Sequence, residues 1–164
     1  MTDEVSAAAT TVLATCRARG LKVATAESCT GGLVAGALTE IGGSSDVFDR
    51  GFVTYSNEAK QDMLGVRANV LDKFGAVSRP TAEAMARGAL AHSRADIAVA
   101  VTGIAGPGGG SAGKPVGLVH FAVASRTGAL VHSEQRYGDI GRAQVRRRSV
   151  SQALAMLQEM AEKH

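Results

Sequence analysis

The sequence predicts an α/β protein, a three-layer α/β/α sandwich around a mixed, mostly parallel central sheet. Two observations carry this. Apolar runs of strand length, LKVATA (21–26), FDRGFVTYS (48–56) and DIAVAVTG (96–103), alternate with helical patterns, as parallel strands joined by crossovers do. Later, VGLVHFAVAS (116–125) and ALVHSEQRY (129–137) follow one another across Gly128, which adds an antiparallel hairpin. The 164 residues suit one domain, residues 1–164, with a core that needs no staples.

Each element has its own signal. From Thr2 to Ala18, the residues Val5, Ala8, Ala9, Val12, Leu13 and Cys16 recur at helical spacing, and Gly20 supplies the stop. LKVATA then reads as a buried strand and ESCTGG as a turn. Thr30 to Glu40 reads as a helix rich in small residues, ended by IGGSS. After the 48–56 strand, Ser56 or Asn57 offers an N-cap and Glu58 a first-turn acid for the next helix. A short helix is expected at Val70–Phe74. Pro80 fits the first turn of a helix that starts at Ser78 or Arg79 and runs to Arg94. DIAVAVTG is the most apolar strand and is expected at the centre of the sheet. A long amphipathic helix closes the chain, with Val145, Val150, Leu154 and Leu157 on its core face.

Apolar residues make up 45% and charged residues 20%, a soluble globular composition. Aromatics are only 4% and glycines number 20, so small residues dominate the packing. Net charge is +3, much of it from Arg142, Arg146, Arg147 and Arg148. That cluster reads either as a solvated helix face or as a place for phosphate. A nucleic-acid surface needs more basic charge and stacking aromatics, so no nucleic-acid partner is expected. Cys16 and Cys29 form no C-x-x-C pair, and neither a disulfide framework nor a zinc spacing can be read from them. No metal and no cofactor is expected. No run approaches roughly 18 continuous apolar residues, and the opening MTDEVSAAATTVLATCRARG lacks a signal-peptide pattern. A cytoplasmic protein with no membrane partner is therefore expected.

Two stretches invite a chemical reading. From Gly108, GGGSAGKP nearly matches the phosphate loop G-x-x-x-x-G-K-[ST], but Pro115 stands where the magnesium-binding hydroxyl belongs, and a strand follows where a helix should. The loop still offers backbone N–H groups suited to an anion. ATAESCTGG (24–32) places Ser28 between a strand end and a glycine pair that opens a helix. There the helix dipole favours a developing negative charge, the setting of a serine nucleophile; equally, Ser28 or Thr30 caps the helix. Cys29, next door, is a second candidate nucleophile. None of His92, His120, His132 and His164 is bracketed by a promising carboxylate, so a Ser-His-Asp triad is poorly supported. YSNEAK offers Tyr55 and Lys60 instead, and a desolvated lysine can act as base. Thr102 and Gly103 end the third strand. Ser28, Tyr55 and Thr102 thus converge on the crevice where open α/β sheets bind ligands.

TAESCTGG, GFVTYSNEAK, GAVS, VTGIAGPGGGSAGKPVG and the R-x-x-V-R of the last helix, in that order, resemble the CinA C-terminal domain family over roughly residues 5–160. The chain looks like a stand-alone member. The resemblance implies hydrolysis of the carboxamide of nicotinamide mononucleotide to nicotinate mononucleotide and ammonia, in pyridine-nucleotide recycling. It implies Ser28 as nucleophile, Lys60 as its partner with Tyr55 close by, and Thr102 before GIAGP. Oxyanion donors are expected near Thr30 and Gly31 or at Gly103. The 5′-phosphate is expected at the glycine-rich loop (Gly106, Gly108), Arg142 and Arg146. The motif arginine falls on Arg142, although GDIGRAQVR has two more residues after Asp139 than the usual GDR-x-x-V-R. A homodimer or higher homo-oligomer is implied as well. A catalytically silent nucleotide-binding module linked to competence or DNA damage, or an amidase for another substrate, are the alternatives.

Overall fold

Large and small apolar residues alternate along the buried strands, and this alternation gives the sheet two unlike faces. In the computed structural model, which describes residues 1–164, β1 (Val23–Glu27), β2 (Phe48–Val53), β3 (Ile97–Gly103), β4 (Leu118–Ser125) and β5 (Leu130–Arg136) form one sheet. The strand order is β2-β1-β3-β4-β5. β1 pairs in parallel with β2 and β3, and the last two pairings are antiparallel, so β4 alone runs against the rest. DIAVAVTG is the central strand, as expected.

Successive side chains on a strand point to opposite faces. Val23, Ile97, Val99, Val101, Val119, Phe121 and Val123 meet α1 (Asp3–Arg19), α2 (Leu33–Thr39) and α6 (Arg142–Lys163). Alanines 24, 26, 98, 100, 122 and 124 fill the other face, under α3 (Asn57–Leu64), α4 (Ala68–Phe74) and α5 (Arg79–Ala91). The alanine face lets α5 lie close to the sheet. At Gly88 a Cβ would run into the Leu64 backbone carbonyl, so this glycine is what lets α3 settle on α5.

Several boundaries differ from the sequence reading, each for a local reason. α2 starts at Leu33, not Thr30, because Gly31 and Gly32 sit at φ +56° and +104°, outside right-handed helical space. The strand expected over 48–56 ends at Val53, where the Thr54 carbonyl turns to Lys60 Nζ. Within the alternatives the sequence left open, Ser56 is the N-cap of α3, accepting from Ala59 N at 3.0 Å, and α5 starts at Arg79 behind Ser78, which accepts from Thr81 N at 3.3 Å. The short helix begins at Ala68, two residues before Val70. α5 stops at Ala91 instead of Arg94. Arg126 from the hairpin donates to Leu90 O in the last turn and to Ala95 O just before β3, both at 2.8 Å, and ties down the segment that follows the helix.

Gly88→Ala should destabilise the protein by about 1–3 kcal/mol, because its methyl would press on the Leu64 backbone carbonyl and Cβ, neither of which can swing aside. Urea unfolding checks this; an unchanged midpoint would mean α3 can shift without cost.

Candidate active site

Three strand ends meet at one edge of the sheet. β1 ends at Glu27 and delivers Ser28. β2 ends at Val53 and delivers Thr54 and Tyr55. β3 ends on Thr102 and Gly103. Ser28, Tyr55, Lys60, Thr102, Gly103, Gly106, Gly108 and Arg142 border one cavity of about 270 Å³. Two larger recesses, of about 460 and 490 Å³, lie against the start of α1 and along α6, but neither holds a buried hydroxyl–amine pair.

Lys60 is the fourth residue of α3, a helix whose start is fixed by the Ser56 cap. Its side chain is only 1% exposed. Nζ donates to Ser28 Oγ at 2.9 Å, to Thr54 O at 2.8 Å and to Tyr55 O at 3.4 Å. All three partners are neutral oxygens. Burial draws the amine from its ordinary 10.5 down to about 8. The same burial pushes the Cys29 thiol up to about 11, so it stays protonated at neutral pH. The hydroxyl that meets the amine is therefore beside an inert thiol.

Among the amides around Ser28 that have no backbone acceptor, those of Cys29 and Gly103 belong to residues that border the cavity. Ser28 N donates to Val101 O at 2.9 Å, the last rung between β1 and β3. The next rung would join Gly103 N to Ser28 O, but Ser28 O accepts from Gly31 N at 3.0 Å instead. Ile104 N donates the other way, to Leu118 O, so Gly103 N–H faces the cavity unpaired. Cys29 N–H has no acceptor in any other residue, and Cys29 borders the cavity. A Cβ on Gly103 would press on Val119 Cγ2 and Leu118 O, which is why this strand end needs glycine.

The remaining expected residues divide in two. Arg142 opens α6 and borders the cavity; its guanidinium donates to Gly106 O at 2.9 Å and to Tyr55 Oη at 3.0 Å. Tyr55 is 61% exposed, with its hydroxyl on Arg142; Lys60 reaches Ser28 directly, with no phenol between them. Thr102 Oγ1 donates to Ala76 O at 2.9 Å and anchors the α4–α5 connection as the cavity wall. Arg146, expected at the phosphate, lies outside the cavity: its guanidinium is drawn to the carbonyls of Cys29 and Thr30, at 3.1 and 3.4 Å. Thr30 and Gly31 do not border the cavity either. Thr30 is fully buried, and the Gly31 N–H is taken by Ser28 O, so of the expected amides only that of Gly103 stays unpaired at the cavity, with Cys29 beside it. Lys114 donates to Phe74 O instead of entering the cavity, and no helix follows it, so the glycine-rich loop is not a triphosphate loop.

Glu27 was missed from sequence. It is 1% exposed and accepts from Thr30 Oγ1 at 2.6 Å, Val34 N at 2.8 Å and Ala35 N at 3.1 Å. The positive end of α2 therefore faces Glu27, not the hydroxyl of Ser28. A carboxylate closing an otherwise apolar strand, just before a glycine pair, was the available signal. His120 and His132 pair with each other at 2.9 Å and do not border the cavity.

A sandwich that holds a hydroxyl against a buried amine, with two unpaired amides beside it, is equipped for acyl transfer. The chain matches the CinA C-terminal domain over residues 5–161 and belongs to that family. It is 55% identical over 142 residues to the nicotinamide-nucleotide amidohydrolase PncC of Escherichia coli K12, covering 86% of this chain and 85% of that protein. It is also 55% identical over 150 residues to a CinA-like protein of Synechococcus sp. RCC307, covering 91% of this chain but 36% of that longer relative. Among solved structures, the competence/damage inducible protein CihA of Agrobacterium tumefaciens superposes with a TM-score of 0.94. It is 61% identical, and the match covers 96% of this chain and 95% of that one. No helix is long and apolar enough to cross a membrane.

Unfolding returns Lys60 to its ordinary 10.5, so the unfolded chain holds the proton more tightly. The stability linked to this group is full above pH 10.5 and is lost as pH falls through about 8. Against a Lys60→Met variant, wild type should gain on the order of 1–3 kcal/mol across that window. Urea unfolding of both proteins at several pH values measures the gain; parallel curves would mean Lys60 titrates normally.

Proposed function

We propose that the protein hydrolyses the carboxamide of nicotinamide mononucleotide to nicotinate mononucleotide and ammonia, in pyridine-nucleotide recycling, with Ser28 as nucleophile and Lys60 as base. The observation that carries the chemistry is the 2.9 Å contact from buried Lys60 Nζ to Ser28 Oγ. The substrate class is supported by the 55% identity to an amidohydrolase of nearly the same extent.

Neutral Lys60 keeps its N–H bonds to the Thr54 and Tyr55 carbonyls and turns its lone pair to Ser28 Oγ. Ser28 Oγ bonds to the amide carbon as its proton passes to Nζ. The carbonyl oxygen takes up negative charge between the N–H groups of Cys29 and Gly103. Collapse of the adduct breaks the C–N bond, and the proton on Lys60 leaves with the nitrogen as ammonia. Neutral Lys60 then takes a proton from water, whose oxygen attacks the acyl-serine. The ester C–O bond breaks and the proton returns to Ser28. Arg142 and the loop from Gly106 to Gly108 hold the 5′-phosphate at the cavity wall, and Tyr55 stands at its mouth.

Ser28→Ala should lower ammonia release from nicotinamide mononucleotide by about 10⁴-fold or more, while Cys29→Ala stays within a few-fold of wild type. Lost activity in Cys29→Ala alone would transfer the nucleophile's role to the thiol. The wild-type kcat/KM should rise with pH to a plateau, with an apparent pKa of about 8. A profile flat between pH 7 and 9 would remove Lys60 as base.

Arg142→Ala should raise KM for the mononucleotide by about 10-fold or more with little change in kcat, the loss of a charge-assisted phosphate contact. An unchanged KM would refute the phosphate assignment.

A further inference from the structure

We propose that Arg146 is a positioning residue for the oxyanion site, holding the Ser28 turn from behind so that its free amides face the cavity. The inference rests on the Ser28 reading above and deepens it.

The segment Ser28–Gly31 belongs to no strand or helix, yet its conformation creates both free amides. The Gly31 N–H to Ser28 O bond closes the turn and withholds from Gly103 the acceptor that the ladder would give it. What keeps the turn in this shape lies on the far side from the cavity. Arg146 rises from α6 and donates through Nε to Cys29 O and through Nη2 to Thr30 O. No other group in the chain donates to Cys29 O. In a trans peptide the C=O and N–H point opposite ways, so anchoring a carbonyl fixes its whole peptide plane. Gly31 anchors the plane before the Cys29 Cα, and Arg146 anchors the plane after it. The Gly31 bond sets the direction of the Cys29 N–H, and Arg146 holds the plane on the other side of the same Cα, which limits the rotation by which the Ser28–Cys29 peptide could turn away. The guanidinium also lies against Gly31, where a Cβ would come within 3.5 Å of Nη2. Two carbonyls at a fixed spacing suit a planar fork, which an ammonium does not reproduce.

A phosphate ligand and a positioning residue fail differently when removed. Arg146→Met and Arg146→Lys should be compared with wild type in two assays, each corrected for the folded fraction by circular dichroism. One is kcat and KM for nicotinamide mononucleotide. The other is the rate at which an alkyl fluorophosphonate modifies Ser28, followed by intact mass. That reagent forms an Oγ–P bond, expels fluoride and leaves the serine proton on Lys60. Its phosphoryl oxygen needs the oxyanion site whatever the natural substrate is. Arg146→Met should lower kcat and the labelling rate about 100-fold each, with KM within about twofold of wild type. Arg146→Lys, the variant that keeps the charge, should lose about tenfold in both. Wild-type labelling and kcat in both variants, or a loss confined to KM, overturns the proposal while the nucleophile stands. Slow labelling in the variants, with no ammonia released by wild type, upholds the positioning role and removes the substrate. Failure of wild type to label at Ser28 overturns both.

Discussion

A lysine side chain with 1% exposure and no carboxylate partner is an unusual thing for a small protein to hold, and much of this fold serves to hold it. Taking an ammonium out of water is costly unless oxygens replace the lost hydration. Here three do, and each comes from a strand that has just ended: one from Ser28 after β1, two from Thr54 and Tyr55 after β2. Residual desolvation is expressed as a weaker hold on the proton, which brings the amine near the range where a base is useful. The placement then propagates outward. α3 must begin where the Ser56 cap starts it and must press down on α5, which requires Gly88. α5 must lie close to the sheet, which the alanine face allows.

The helix after Ser28 does not act as a strand–turn–serine–helix pattern first suggests. Its free N–H groups are aimed at Glu27, whose carboxylate neutralises that end of α2 within the protein. Under the proposed reaction, stabilisation of the oxyanion falls to two single amides, Cys29 and Gly103. Both arise from one event, the withdrawal of the Ser28 carbonyl from the β1–β3 ladder. A broken rung at a strand end costs little when water or a ligand reaches the freed N–H, and it places that donor on rigid sheet. Glu27 and Arg146 then brace the turn between opposite charges, one taking its hydroxyl and helix amides, the other its carbonyls.

How much of this was legible in the sequence follows from the range of the forces involved. The alternation of valine with alanine in DIAVAVTG and VHFAVAS fixes the faces of the sheet, and the polar residues just past each apolar run mark the strand ends. Those local signals sufficed to bring Ser28, Lys60, Tyr55, Thr102 and Gly103 to one cavity, while Gly106, Gly108 and Arg142 came to it through the family resemblance. Arg146 was misplaced because its orientation is decided by carbonyls more than a hundred residues away in the chain. Glu27 was overlooked because a buried carboxylate makes sense only once the late start of α2 is known. Tyr55 was expected close to Lys60, but its ring belongs to Arg142 and only its carbonyl belongs to Lys60.

Under the proposed reaction, geometry and electrostatics bear together on the choice between adjacent Ser28 and Cys29. One apolar environment acts on both ionisable groups, and it acts with opposite chemical consequence. Burial disfavours the charged form of either: for lysine the charged form is the protonated one, for cysteine the deprotonated one. The amine is therefore eased toward the neutral state in which it can accept a proton, while the thiol is pushed away from the thiolate that would make it reactive. A serine gains from this arrangement, because its hydroxyl needs no prior ionisation, only an acceptor at 2.9 Å when the bond forms. A cysteine in the same place would need the opposite surroundings, a cation or a helix terminus facing it. The terminus that could have served is occupied by Glu27. Under the proposed reaction, the surroundings built around this turn favour the hydroxyl through the same exclusion of water that eases Lys60 toward its neutral form.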